Sequence, residues 1–177
     1  MRIIGGQLRG RQICPPAGYE ARPTTDFAKE ALFNIIDNEY EFDGLSVLDL
    51  FGGTGSISYE FASRGASRII CIESLSANAA FIKAEVRRLG IDDRVTVVRR
   101  DAMEFLNGCT DKFDIIFADP PYAMEGIEGI PEKATRLLSD IGLFVLEHSA
   151  AHSFEGYPLY KKERKYGNVH FSFFYKD

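Results

Sequence analysis

With 177 residues, a net charge of −5, 45% hydrophobic and 27% charged side chains, the chain is expected to form one soluble domain that buries a core without disulfides or metals. No apolar run approaches the ~20 residues of a membrane helix, and the N-terminus lacks the apolar stretch and cleavage site of a signal peptide. Cys14, Cys71 and Cys109 make no C-x-x-C pair, so a reduced, cytoplasmic protein is expected.

The acidic balance argues against a nucleic-acid partner, but its distribution does not. Arg2, Arg9, Arg11 and Arg22 precede residue 26, and Lys161, Lys162, Arg164, Lys165 and Lys176 follow residue 155. If the two ends meet in space they form a basic patch; otherwise they are solvated termini. Residues 1–25 read as a basic arm or small hairpin, with β-like pieces MRII and RQIC, laid against a single domain of residues 26–177.

RPTTD (22–26) follows. Pro23 disfavours helix for Arg22, and Thr24 or Thr25 can cap a helix beginning at Asp26. Phe27, Ala28, Ala31, Leu32, Ile35 and Ile36 would form its apolar stripe. From residue 45, strands and helices alternate: SVLDL, the helix SISYEFASR with Gly65 as its stop, RIICIE, and SANAAFIKAEVRRL with Gly90 as its stop. Ala77, Ala80, Phe81 and Ala84 are expected on the buried side of that last helix. RVTVVRRD, the short helix AMEFLNG, FDIIFADPPY, the helix IPEKATRLLSD and the strand GLFVLEHS complete the alternation. This order predicts an α/β fold, a mostly parallel sheet covered on both faces. The tail changes period: LYKKERKY and VHFSFFY flank Gly167–Asn168 and read as an antiparallel hairpin. A parallel sheet ending in such a hairpin is the Rossmann-like variant of methyltransferases rather than dehydrogenases.

LSVLDLFGGTG (45–55) organises the rest. An apolar strand ends in Asp49, and Phe51, Gly52, Gly53 and Gly55 lead into a helix. The glycines permit a sharp turn and close approach to a ligand, and the helix N-terminus points its free amides at the same place. The alternative is a glycine turn without a ligand. Glu73 ends the second strand 20 positions after Gly53, where a carboxylate can accept both ribose hydroxyls of an adenosine cofactor. Asp101 ends the third strand; it can accept from an adenine amine, with the Ala102 N–H donating to the ring, or cap the following helix.

Asp119-Pro120-Pro121-Tyr122 is the most specific signal. The prolines remove two donors and leave acceptors, and Tyr122 offers a face for stacking a base. The combination suits an exocyclic aromatic amine, oriented by acceptors so that its lone pair attacks a sulfonium methyl. His148 and His152 have no third ligand at zinc-like spacing, so no metal is expected.

DLFGGTG, CIE, RDAMEFL and DPPY together resemble a class I S-adenosylmethionine-dependent methyltransferase acting on an amino group. RIIGGQLRGR, RPTTD and KYGNVHFSFFY extend the resemblance, from Arg2 to about Tyr175, to the bacterial 16S rRNA (guanine-N2)-methyltransferase family. That resemblance implies S-adenosylmethionine held by Asp49 to Gly55, Glu73, Asp101 and Ala102, and the amine at Asp119 to Tyr122. It places Arg9, Arg11, Arg22, Thr24, Thr25 and Lys165 toward the RNA, and implies a cytoplasmic monomer acting on 16S rRNA within a small-subunit assembly particle. Gly52 stands where many relatives carry alanine, and Ser56 and Ser58 where relatives tend to be more apolar. The other readings are a DNA adenine amino-methyltransferase, for which no target-recognition domain is evident, and a non-catalytic cofactor-binding RNA module, for which DPPY would be expected to be altered. A nicotinamide dehydrogenase is disfavoured because Ser58 replaces the third fingerprint glycine.

Overall fold

The computed structural model describes residues 1–19 and 24–177. In chain order the elements are α1 (Asp26–Asp37), β1 (Ser46–Asp49), α2 (Ser56–Arg64), β2 (Arg68–Glu73), α3 (Ser76–Leu89), β3 (Val95–Arg99), α4 (Ala102–Gly108), β4 (Phe113–Ala118), α5 (Ile130–Thr135), β5 (Leu138–His148), β6 (Tyr160–Tyr166) and β7 (Val169–Tyr175). The strands form one sheet in the order β3-β2-β1-β4-β5-β7-β6. The first five are parallel, and β7 runs antiparallel to both β5 and β6. The expected terminal hairpin is present, turning at Gly167 and Asn168.

Strand side chains alternate between two cores. Val47, Ile69, Ile115, Phe117, Val145 and Phe171 face α1, α2 and α3, while Leu48, Ile72, Ile116, Phe144, Leu146 and Phe174 face α4 and α5. Ile3 and Ile13 belong to the first core. They are held there by a small antiparallel pairing, Arg2 against Gln12, with Ile3 N donating to Arg11 O and Ile13 N to Met1 O, both at 3.0 Å. The Thr25 side chain caps α1 by accepting from Ala28 N. Gly65 and Gly90 close α2 and α3 in left-handed conformations, as the sequence leads one to expect.

Three local expectations need correction. In α1, Phe27 is 69% exposed, whereas Lys29 and Phe33 are buried with Ala28, Leu32 and Ile36. Lys29 is buried because its ammonium donates to Arg2 O (2.7 Å) and Ser56 Oγ (3.0 Å) and lies 3.7 Å from Glu60 Oε2. In α3 the buried row is Ala79, Ile82, Val86 and Leu89, and Ala77, Ala80 and Ala84 are exposed. The branched side chains claim the sheet because they bury more apolar area than a methyl does. The helix beginning at Ile130 ends at Thr135 instead of running to Asp140, because Leu138 already pairs with Phe113. An irregularity in the β4–β5 register then accommodates the polar Ser139, whose Oγ donates to Asp114 Oδ1 at 2.8 Å. No helix among the described residues is long and apolar enough to cross a membrane.

Candidate active site

The carboxyl ends of β1, β2, β4 and β5 open on a cavity of about 1030 Å³, the place where open α/β sheets bind ligands. The glycine loop forms its floor. Gly52 N donates to Ile72 O (2.7 Å), which ties the loop to β2. A Cβ on Gly52 would lie 2.6 Å from Cys71 Sγ, so this glycine is required by packing against a buried thiol. Alanine is tolerable only where the residue facing it is smaller. Gly52→Ala is therefore expected to cost about 1–3 kcal/mol, and adding Cys71→Ala to recover most of it; equal denaturation midpoints for the wild type and the single variant would refute the contact. Gly55 (φ +82°) precedes α2 in a left-handed conformation and lies against the Tyr59 ring.

Glu73 is buried at the edge of the loop. Its Oε2 accepts from Gly53 N (2.9 Å) and its Oε1 from Leu75 N (2.8 Å), so the carboxylate shapes the loop and also faces the cavity. Asp101 caps α4 through Oδ1, which accepts from Met103 N (2.9 Å) and Glu104 N (3.0 Å), and it also lines the cavity with Ala102. Phe51, Gly52 and Gly53 line it directly, whereas Asp49 and Gly55 stand behind the wall. Asp49 is buried, its Oδ2 accepting from Ser58 Oγ (2.7 Å) and its Oδ1 finding no partner among the described residues. Burial pushes its pKa up to about 6. Ser58 and Ser56, the two polar residues of the first turn of α2, are thus the partners of a buried carboxylate and a buried ammonium.

Asp119, Pro120, Pro121 and Tyr122 all line the cavity at the end of β4, with Tyr122 half exposed. The Pro121 carbonyl already accepts the Met124 N–H at 2.8 Å. Beside Asp119 stands Glu147 of β5, which the sequence does not single out. Phe117 pairs with Val145 and Ala118 with Leu146, so the same register carried one step on sets Asp119 beside Glu147. Glu147 is 3% exposed, and its Oε2 accepts from Thr24 Oγ1 at 2.9 Å. Burial, then the charges of Glu147 and Asp49, push the Asp119 carboxyl well above its usual range, and burial raises Glu147 to about 7. Three carboxyl groups on one face, at the ends of β1, β4 and β5, make this end of the cavity strongly electronegative when ionised.

Of the residues expected to face RNA, Thr24 and Thr25 line the cavity. Arg9 and Arg11 are exposed on the N-terminal segment, away from the cavity wall. Lys165 is exposed and 3.4 Å from Glu163 Oε2. Arg22 lies outside the described residues. The rim carries aromatic rings that the sequence reading placed elsewhere or passed over. Phe27 meets Tyr166 edge to face at 5.9 Å, and Tyr166 lines the cavity. Tyr19 donates its hydroxyl to Gly53 O and packs edge-on against Phe81 at 5.4 Å. His148 pairs with Ser172 Oγ (2.8 Å), and His170 with Glu163 Oε1 (3.0 Å), on the opposite face of the sheet from Glu147. His152 instead meets Glu128 at 3.2 Å.

This strand order, with a glycine loop after the first strand and an antiparallel seventh strand inserted beside the fifth, is the Rossmann-like fold of class I methyltransferases. The chain belongs to the family described as Conserved hypothetical protein 95, which matches residues 1–175. It is 36% identical, over 80% of its length and 68% of the relative's, to ribosomal RNA small subunit methyltransferase D of Escherichia coli (strain K12). It is 28% identical, over 98% and 91%, to the protein of the same name from Buchnera aphidicola subsp. Baizongia pistaciae. The solved structure of yhhF from Escherichia coli superposes with a TM-score of 0.85 at 29% identity, covering 100% of this chain and 98% of that one.

Proposed function

We propose that the protein transfers a methyl group from S-adenosylmethionine to the exocyclic amine of a guanine in 16S rRNA, within a small-subunit assembly particle. The observation that carries this reading is the Asp119-Pro120-Pro121-Tyr122 corner, set beside Glu147 in a cavity floored by the glycine loop. The relatives named as small-subunit rRNA methyltransferases support the choice of RNA.

The donor set suits the cofactor. Glu73 would accept the ribose hydroxyls, Asp101 and the Ala102 N–H would hold the adenine edge, and the electronegative end of the cavity favours a cation. When bound, S-adenosylmethionine supplies an electrophilic methyl on a positively charged sulfur. Asp119 would accept one amine N–H, turning the nitrogen lone pair toward the methyl, and take the proton that methylation makes acidic. Its raised pKa makes it the stronger base for that task. Tyr122 would stack on the base after it has left its helix, and Phe27 with Tyr166 would receive neighbouring nucleotides at the rim.

Replacing Glu73 with alanine is expected to weaken S-adenosylmethionine binding on the order of tenfold or more, since charge-assisted bonds worth ~1.5–3 kcal/mol are lost. Calorimetry showing unchanged affinity would remove Glu73 from the cofactor site. Replacing Arg9 and Arg11 together is expected to lower RNA affinity and flatten its salt dependence by about one unit of slope per phosphate contact, with cofactor binding untouched. An unaltered slope would leave both as solvated charges. The reading as a whole is tested by methyl transfer from labelled cofactor to small-subunit particles of a strain lacking this gene, followed by nucleoside analysis. N2-methylguanosine is expected. Label in methyladenosine, or transfer to duplex DNA instead, would overturn it.

A further inference from the structure

We infer that Glu147 reads the N1–H of the target base while Asp119 holds its exocyclic amine, so that two adjacent carboxylates select guanine by its pair of neighbouring donors. The inference rests on the guanine reaction proposed above. Its starting point is the register of β4 and β5, which puts Glu147 next to Asp119 on the same face of the sheet and on the same cavity wall as Tyr122. Among the described residues, Glu147 neither holds the glycine loop nor caps a helix. Its hydrogen-bond partner among them is the Thr24 hydroxyl, which donates to Oε2 and fixes the carboxylate without neutralising it. A carboxylate buried to this extent beside another acid is unfavourable unless a ligand brings donors to it.

The base edges decide which ligand. Guanine presents N2–H and N1–H side by side, two donors for two acceptors. Adenine presents a donor at its amine and a bare lone pair at N1, which would face an ionised Glu147 oxygen with repulsion. The pair therefore accepts guanine and rejects adenine through one polar contact, and a site built to bond a polar hydrogen rejects the analogue lacking it strongly. Titration is consistent with this: burial and then the Glu147 charge raise the cost of ionising Asp119, burial raises that of ionising Glu147, and two donors from one base edge relieve both.

The test replaces the methylated guanosine, once mapped, with 2-aminopurine, which keeps the same amine but has no hydrogen at N1. At about pH 8.5, where a carboxyl titrating near 7 is ionised, the wild-type enzyme is expected to methylate 2-aminopurine ~10–100-fold more slowly than guanine under single turnover. In Glu147→Gln, whose amide can donate to N1 or accept from it, the ratio is expected to fall to within about threefold. A merely structural role for Glu147 would slow both substrates alike and leave the ratio unchanged, which overturns the inference. So does a wild-type enzyme that takes both bases equally, a comparison that needs no variant. Binding of each RNA to the enzyme with the demethylated cofactor, measured by fluorescence of the 2-aminopurine strand and by competition with its guanine counterpart, should show the same preference and the same collapse in Glu147→Gln. If the wild type forms no N2-methylguanosine at all, the proposed reaction fails and the inference falls with it.

Discussion

Asp119→Ala is expected to lower single-turnover methyl transfer ~100-fold or more at saturating cofactor and RNA, while RNA affinity changes little. The residue sits at the end of β4, on the wall shared with Tyr122 and Glu147, and would act on the amine alone. Two contributions are lost together. One is orientation of the nitrogen lone pair, and the other is a base for the departing proton. Removal of a single preorganised polar group in a water-poor site commonly costs 10²–10³ in rate. Tyr122→Ala separates the roles, because losing a stacking face worth about 1–3 kcal/mol should weaken RNA binding and turnover alike. Asp119→Asn refines the assignment: it keeps an acceptor but not a base, so it should fall between wild type and alanine. An Asp119→Ala enzyme within threefold of wild type, a difference of roughly 0.65 kcal/mol, would remove Asp119 from the chemistry.

The parts of this site legible from sequence are those whose signal is local. The glycine loop, the carboxylates Glu73 and Asp101 at strand ends, and Asp-Pro-Pro-Tyr each announce themselves within a few residues, because backbone geometry and chemistry coincide there. Glu147 does not. In LFVLEHS it reads as a polar residue ending a strand, and its hydroxyl partner is Thr24, 123 residues away. The same distance hides the reason for Thr24, which looks like a cap until Thr25 is found in that position. Periodicity also misplaces residues at the margins of a stripe. Phe27 has the right phase to be core on α1 but is exposed against Tyr166, a cavity-lining ring, and the four residues assigned to the buried side of α3 are mostly alanines that lose little by being exposed. Apolar pattern alone does not tell a ring that faces the core from one that faces a ligand.

The N-terminal segment is joined to the domain by charge as well as by Ile3 and Ile13, and this gives the second large effect. Glu60 of α2 is fully buried. Its Oε2 accepts from Ile4 N (2.9 Å), and its Oε1 from Gly5 N (2.8 Å) and Arg64 Nε (3.0 Å). Lys29 lies 3.7 Å away, also buried, bonded to Arg2 O and Ser56 Oγ. Burial lowers the Lys29 pKa, and Glu60 is the largest influence holding it up. Alpha-helical Glu and Lys positions usually face water, so neither would be suspected of joining the arm to α1 and α2. Glu60→Ala should leave a buried ammonium without its counter-charge, and two arm amides and the Arg64 Nε–H without their acceptor. Breaking one side of a buried pair costs ~3–5 kcal/mol, which at about 2–4 °C per kcal/mol for a chain of this size predicts a drop in Tm of roughly 6–20 °C. Replacing both partners by apolar residues, Lys29→Met with Glu60→Leu, should cost less than the two single changes added together, because no charge is then left uncompensated. Below the lowered Tm, Glu60→Ala should still bind S-adenosylmethionine but bind RNA more weakly, since Arg9 and Arg11 ride on the segment that has come loose. A Tm within about 2 °C of wild type, less than ~1 kcal/mol, would show that Glu60 contributes little and that the arm is held by its isoleucines and its hydrogen bonds to Ser63.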